Sequence, residues 1–390
     1  MLGRHWTGYC CPGGCPLTSA LAWWAYPVIG LATLTLTLVL VPGALWAARR
    51  WDFLDRPSDI KAHSSPIPYL GGAAILVAFT AVVLGAALLR PADSSLHQLE
   101  ILLGMAMVLS LMGLFDDLRG LSPWIRLAVE VAAGIGVWAS GSSVALSFLP
   151  GPVNVVITVM WVVGVTNAFN LLDNMDGLSA GVAAIASLSF FALSLVYGQF
   201  LLATLSIALA GCAAGFLRHN FHPARIYMGD AGSLFLGFLL SVIALRLRIL
   251  PGNQVSFLVP VVVLGVALFD TALVTVNRLV SRRGVLSGGV DHTSHRLVFI
   301  GIPVPVAVAL IYAAGGTLGW IGIILSRIDS MTSVLLAALV FGIALFLGVL
   351  LSLVPVYEQS RRHRLVITEV ARRDPEADLP SAPLVKIPTA

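Results

Sequence analysis

The chain has 390 residues, 58% of them hydrophobic and 11% charged, with mean hydropathy +0.94. A water-soluble domain carries about 25% charged residues, so this composition excludes a soluble globule and leaves most of the surface to face lipid. The formal net charge of +4 comes without any Lys/Arg stripe interleaved with aromatics, so nucleic acid is not an expected partner.

Runs of about 20 apolar residues, the length a bilayer core requires, predict an all-α polytopic membrane protein. Eleven spans are expected, at 23–46, 71–89, 98–114, 124–139, 153–169, 178–196, 200–217, 233–248, 255–275, 304–325 and 334–355. Ahead of them, residues 1–22 form a Gly/Pro-rich tail expected to be disordered. Its Cys10, Cys11 and Cys15 lack the fourth ligand of a structural metal site. The first span is too long for a signal peptide and has no cleavage site after it.

The loop R-P-S-D-I-K-A-H-S-S-P-I-P-Y-L-G-G, Arg56 to Gly72, holds Lys61 and His63 between prolines. The third span closes on G-L-F-D-D-L-R-G-L, with Asp116 and Asp117 adjacent. Neighbouring carboxylates repel, and a helix C-terminus disfavours negative charge. A hard, oxygen-liganded cation such as Mg²⁺ would relieve both; the plainer reading is a solvated pair beside Arg119.

After the fifth span, Asn167, Asn170, Asp173 and Asp176 recur every three residues in N-A-F-N-L-L-D-N-M-D-G-L-S-A-G. On a helical turn they line one side, where amides and carboxylates suit a nucleobase, ribose or sugar. Before the eighth span comes H-N-F-H-P-A-R-I-Y-M-G-D-A-G-S, His219 to Ser233. Gly229 and Gly232 bracket Asp230, and Ser233 is placed to cap the next helix. Free N–H groups there would favour a phosphate, and a bound cation would account for Asp230.

The largest loop, 277–303, carries G-G-V-D-H-T-S-H-R-L. His292 and His295, at i and i+3, share a helical face beside Asp291 and Arg296. They could ligate zinc. With no Cys or third His nearby in sequence, donating to a pyrophosphate is preferred. After the last span, residues 357–390 form a polar, Pro-rich tail, leaving 23–356 as one membrane domain.

With the N-terminus outside, 18 of the 23 basic residues fall on one set of loops and the C-terminal tail, a positive-inside pattern that puts that side in the cytoplasm. All five polar motifs lie there. A transporter would instead set ionisable groups mid-membrane, and the span centres look nearly free of charge; a non-catalytic scaffold would not need five aspartates.

In this order, the five segments resemble the polyprenyl-phosphate N-acetylhexosamine-1-phosphate transferase family from about Asp55 to Leu297. The resemblance implies transfer of N-acetylhexosamine 1-phosphate from a UDP-sugar to undecaprenyl phosphate with release of UMP. It implies Mg²⁺, with Mn²⁺ as a substitute, and an active site on the cytoplasmic face of the cell membrane. It also admits a homodimer. Carried over by position, Asp116 would deprotonate or orient the lipid phosphate, with Asp117 beside it. Asp230, with Asp117, would bind metal. Asn170, Asp173 and Asp176 would lie near the nucleotide with Asn220 and Lys61, and His292, His295 and Arg296 near the diphosphate. L-R-G-L after the Asp pair and the split H-T-S-H resemble the GlcNAc-1-phosphate branch. Asn174 and Met175 depart from the usual Gly and Leu or Ile. UDP-MurNAc-pentapeptide, UDP-FucNAc and UDP-GalNAc are the alternative donors.

Overall fold

The computed structural model describes residues 23–55, 66–88, 95–143, 150–249, 257–285 and 289–356. The N-terminal tail with its three cysteines, Lys61 and His63, and the C-terminal tail lie outside them.

Helix α1 (Ala25–Arg50) leads into a two-residue antiparallel ladder of β1 (Leu54–Asp55) with β2 (Ile67–Pro68). There follow α2 (Gly71–Leu88), α3 (Ser95–Arg119), α4 (Pro123–Ala139), α5 (Gly151–Leu172), α6 (Leu178–Val196), α7 (Phe200–Asn220) and α8 (Gly229–Arg246). The chain ends its described part with α9 (Leu258–Val263), α10 (Gly265–Val280), α11 (Thr293–Phe299), α12 (Val304–Leu325) and α13 (Ser330–Ser352). Exposed tryptophans flank α1, Trp23 and Trp24 at one end and Trp46 and Trp51 at the other. That is the aromatic belt of a helix crossing two membrane interfaces.

Nine helices among the described residues are long and apolar enough to cross a membrane. The protein is an all-α, multi-pass membrane protein. Two of the eleven expected spans fall short of that length. The fourth, α4, has 17 residues. The ninth is broken at Leu264, where α9 ends and α10 begins. Two predicted boundaries also move. Helix α3 continues through Asp116 and Asp117 to Arg119, and α8 starts at Gly229, so Asp230 sits in its first turn.

Helix α8 is the centre of the bundle, packed by α2, α3, α5 and α6. Small residues let its backbone be approached closely, as between helices in lipid. A Cβ on Gly72 of α2 would lie 2.2 Å from the Gly232 nitrogen. One on Gly113 of α3 would lie 2.5 Å from the carbonyl carbon of Asp230. Gly113→Ala is therefore expected to cost about 3 kcal/mol, near the upper end of ordinary overpacking, and to displace Asp230. Gly104→Ala, in the same helix with nothing within 4 Å, is expected to cost nothing. Thermal unfolding of both variants in detergent checks the contrast.

Candidate active site

Four motifs that are remote in sequence meet where α3, α5 and α7 end and α4, α6 and α8 begin. Their meeting follows from helix direction: alternate helices bring C-terminal and N-terminal ends to the same side of the bundle.

Asp117 provides the first link. Its Oδ1 accepts from the Asp230 backbone N–H at 3.1 Å and its Oδ2 from that of Ala231 at 3.4 Å. The carboxylate of one helix C-terminus thus caps the N-terminus of another, placing negative charge where the α8 dipole favours it. Gly229, with φ +67°, permits the approach: a Cβ there would lie 2.3 Å from Asp117 Oδ2. Two sequence expectations are corrected. Ser233 does not cap α8; its Oγ donates to Gly229 O and accepts from Asn170. Nor are the first N–H groups of α8 all free for a phosphate, because Asp117 takes two.

Arg126, in the first turn of α4, is the second link. Its Nη1 lies 2.6 Å from Asp116 Oδ2 and 2.8 Å from Asp230 Oδ2, and its Nη2 donates to Asn170 Oδ1 at 3.0 Å. Asn170 Nδ2 donates in turn to Asp230 Oδ1 at 2.7 Å. One planar guanidinium thereby joins α3, α5 and α8. Sequence reading counted Arg126 only as a loop cation. One turn on, Glu130 is 1% exposed and accepts from Asn167 Nδ2, while its Oε1 is buried without a partner. Glu130 lies near the middle of α4, and Asp270 lies within α10 and is 3% exposed. The expectation of span centres nearly free of charge is corrected by these two. Each is tied to a motif residue, Asn167 or His292. The signal available in the sequence was Arg126 and Glu130 at i and i+4, a charged pair in a short apolar run.

Asp173 follows the last residue of α5. It accepts no hydrogen bond among the described residues, and burial, followed by Asp230, Asp117 and Asp176, pushes it up to about 8. Asp176 is engaged differently: its Oδ2 accepts from the Ala224 N–H at 3.0 Å and pairs with His222 Nδ1 at 2.8 Å. Asn220, 2% exposed, donates to Ile226 O and accepts from Gly177 N–H. Both residues fasten the 221–227 loop to the turn after Asp173. The amide expected near the nucleotide thus bonds backbone on both sides, through one N–H and its oxygen.

The histidine segment abuts the same turn, since Ser294 Oγ donates to Asn174 Oδ1 at 2.6 Å. His292 is not on the helical face but caps the start of α11 with extended backbone. Its ring still meets that of His295 edge-on, centroids 6.0 Å apart. Burial first, then His292, pushes His295 down to about 4, so at neutral pH it is an uncharged imidazole. Arg296 follows on the same short helix. Its guanidinium donates to Asp291 O, Leu351 O and Val354 O, closing the C-terminal end of α13. Asp291 is held by Arg278 through two bonds of 2.9 and 3.0 Å.

A divalent cation fits this donor set on charge. Asp116, Asp117, Asp173, Asp176 and Asp230 share one end of the bundle. Among them, Arg126 is the cation that reaches Asp116 and Asp230 directly. No three His, Cys, Asp or Glu side chains among the described residues already converge as a metal cage. Mg²⁺ does not require one: it keeps several waters and is held by one or two carboxylates plus substrate phosphates.

The family model of glycosyl transferase family 4 matches residues 99–248, the stretch from α3 to the end of α8. A Bacillus subtilis relative described as a "Probable undecaprenyl-phosphate N-acetylglucosaminyl 1-phosphate transferase" is 30% identical over 73% of this chain and 80% of its own. Decaprenyl-phosphate N-acetylglucosaminephosphotransferase of Mycolicibacterium smegmatis is 28% identical over 84% and 88%. Phospho-N-acetylmuramoyl-pentapeptide-transferase of Streptococcus thermophilus is 28% identical over 57% and 72%.

Proposed function

The chain belongs to glycosyl transferase family 4, the polyprenyl-phosphate N-acetylhexosamine-1-phosphate transferases, and from that premise we propose that its donor is UDP-GlcNAc and its soluble product UMP. The acceptor is a polyprenyl phosphate, undecaprenyl phosphate in this reading, and the reaction opens assembly of an envelope polysaccharide. In this reading α4 and the α9–α10 pair are the two short spans of eleven, and the excess of basic residues on that side supports a site on the cytoplasmic face.

The observation that carries the reading is the carboxylate cluster around Arg126, drawn from three separate helix ends at one side of the bundle. Two anions must meet there: the lipid phosphate and the donor diphosphate. An oxygen of the lipid phosphate attacks the sugar-bearing phosphorus, the bond from that phosphorus to the bridging oxygen breaks, and UMP leaves with that oxygen. Asp117, Asp173 and Asp230 would hold Mg²⁺, which supplies charge neutralisation and Lewis acidity at the diphosphate. Both oxygens of Asp116 already accept, from Leu121 N–H and from Arg126. That favours Asp116 orienting Arg126 towards a phosphate over its acting as a base. Arg126 presents the planar donor fork that phosphates bind best. The pair fixed by Ser294 and Asn174 sets His292 beside the Asp173 turn, where the diphosphate would lie.

The test is UMP release by purified protein in detergent with undecaprenyl phosphate, Mg²⁺ and UDP-GlcNAc. Release that needs lipid and metal, and disappears in Asp116→Asn and Asp230→Asn, is the expected result. Turnover of UDP-MurNAc-pentapeptide, UDP-FucNAc or UDP-GalNAc instead would keep the chemistry and change the donor. Folded protein releasing UMP from none of them would overturn the reading.

A further inference from the structure

Asp270 belongs to none of the sequence motifs, yet it is 3% exposed and sits inside α10. A lone ionised group there is costly, so its partners decide what it does. Its Oδ1 accepts from the Thr293 backbone N–H at 2.6 Å, and its Oδ2 lies 2.8 Å from His292 Nδ1. An ionised carboxylate only accepts, so Nδ1 must carry a proton. His292 is itself 4% exposed, and its Nε2 makes no hydrogen bond among the described residues.

We propose that Asp270 is a positioning residue of the transfer reaction: its carboxylate holds His292 with the proton on Nδ1, so that the doubly protonated ring can offer Nε2–H to a diphosphate oxygen. This rests on the transferase reading. The neighbours are arranged for it. Asp291 is neutralised by Arg278, and Arg296 is turned away onto the carbonyls of 291, 351 and 354. His295, edge-on to His292, is uncharged at neutral pH. Of the charged groups around His292, Asp270 is thus the one that bonds its ring and favours a cation there. Two residues on, Ser294 bonds Asn174, the residue next to Asp173, which brings the His292 segment up against the Asp173 turn.

Asp270→Asn separates positioning from packing, because the side chains have the same shape. The Thr293 N–H needs an acceptor and claims the single amide oxygen. The amide NH₂ then faces Nδ1, which must become an acceptor. The ring is driven to the neutral Nε2–H tautomer and the cation is lost. Nitrogen-15 spectra of histidine-labelled protein, with the His292 signals assigned by their loss in His292→Gln, are expected to show a protonated Nδ1 in the unaltered chain. In Asp270→Asn that nitrogen is expected to be unprotonated. Nε2–H survives in that tautomer but without the positive charge that strengthens its bond to a diphosphate oxygen, so the kcat of Asp270→Asn is expected to fall on the order of 100-fold, with KM for the UDP-sugar changed much less. In the His292→Gln background the same substitution is expected to have no further effect on kcat, whereas a purely structural loss would add to it. An unprotonated Nδ1 in the unaltered chain, near-normal kcat in Asp270→Asn, or additive losses in the double variant would each overturn the proposal. If the unaltered protein releases no UMP, the transferase reading fails and the catalytic half of the proposal with it. The tautomer spectra still decide whether Asp270 sets the His292 proton.

Discussion

Asp173→Asn is expected to make the protein more stable and nearly inactive. The carboxylate accepts no hydrogen bond among the described residues and is surrounded by Asp230, Asp117 and Asp176. Nothing in the fold gains from its charge, so an amide of the same shape removes repulsion without removing a contact. A gain of about 1–2 kcal/mol near pH 8 is expected, within the usual scale of single substitutions. An ordinary aspartate ionises near 3.9, whereas Asp173 is pushed up to about 8 by burial and then by its acidic neighbours. The folded chain therefore binds this proton more tightly than the unfolded chain. The resulting stability is fully present below about pH 4 and is lost as pH rises through about 8. In chelator-containing buffer, Tm should fall between pH 6 and 8.5 in the unaltered protein and fall less in Asp173→Asn. Activity should drop on the order of 100- to 1,000-fold, as when a group that stabilises developing charge is removed. A variant that is less stable, or that keeps its activity, would show that Asp173 is a fold residue.

Asp173 and its acidic neighbours were legible in the sequence, whereas the pairings that hold the site together were not. In a chain only 11% charged, aspartates flanking apolar runs stand out, and Asp116, Asp117, Asp173 and Asp230 could all be singled out as chemistry. The spans were readable for the same reason, from hydropathy alone. What sequence could not supply was pairing across the fold. Asp117 and Asp230 are 113 residues apart, and Arg126 and Asn170 are 44 apart. Proximity in sequence made Ser233 look like the cap of α8, and tertiary packing gave the cap to Asp117. Nor did it show that Arg296, a long side chain, reaches across the fold to carbonyls at the end of α13. Glu130 and Asp270 each interrupt an apolar run, and a lone carboxylate in such a run carries no sign of the distant amide or imidazole that makes it tolerable.

Arg126 is where the cost of that blind spot is greatest, and where substitution is expected to be most damaging. Its guanidinium bonds Asp116, Asp230 and Asn170 at once. Removing it in Arg126→Ala leaves two partly buried carboxylates facing each other. Its side chain is 22% exposed, between the regimes of surface and buried pairs, so a loss of about 2–3 kcal/mol is expected. Arg126→Lys is the more informative variant. A lysine restores one positive charge but not a planar fork, and one ammonium cannot hold Asp116, Asp230 and Asn170 in their present places. If Arg126 merely balances charge, Arg126→Lys should recover both Tm and UMP release. If its geometry orients the phosphate, Arg126→Lys should recover most of the Tm while UMP release stays at least about 100-fold down, the scale of a misplaced positioning group. The second outcome is expected, because Asn170 also gives its Nδ2 to Asp230 and Ser233. A shift at Arg126 therefore passes through Asn170 to the first turn of α8, where Asp230 would meet the metal-bound diphosphate.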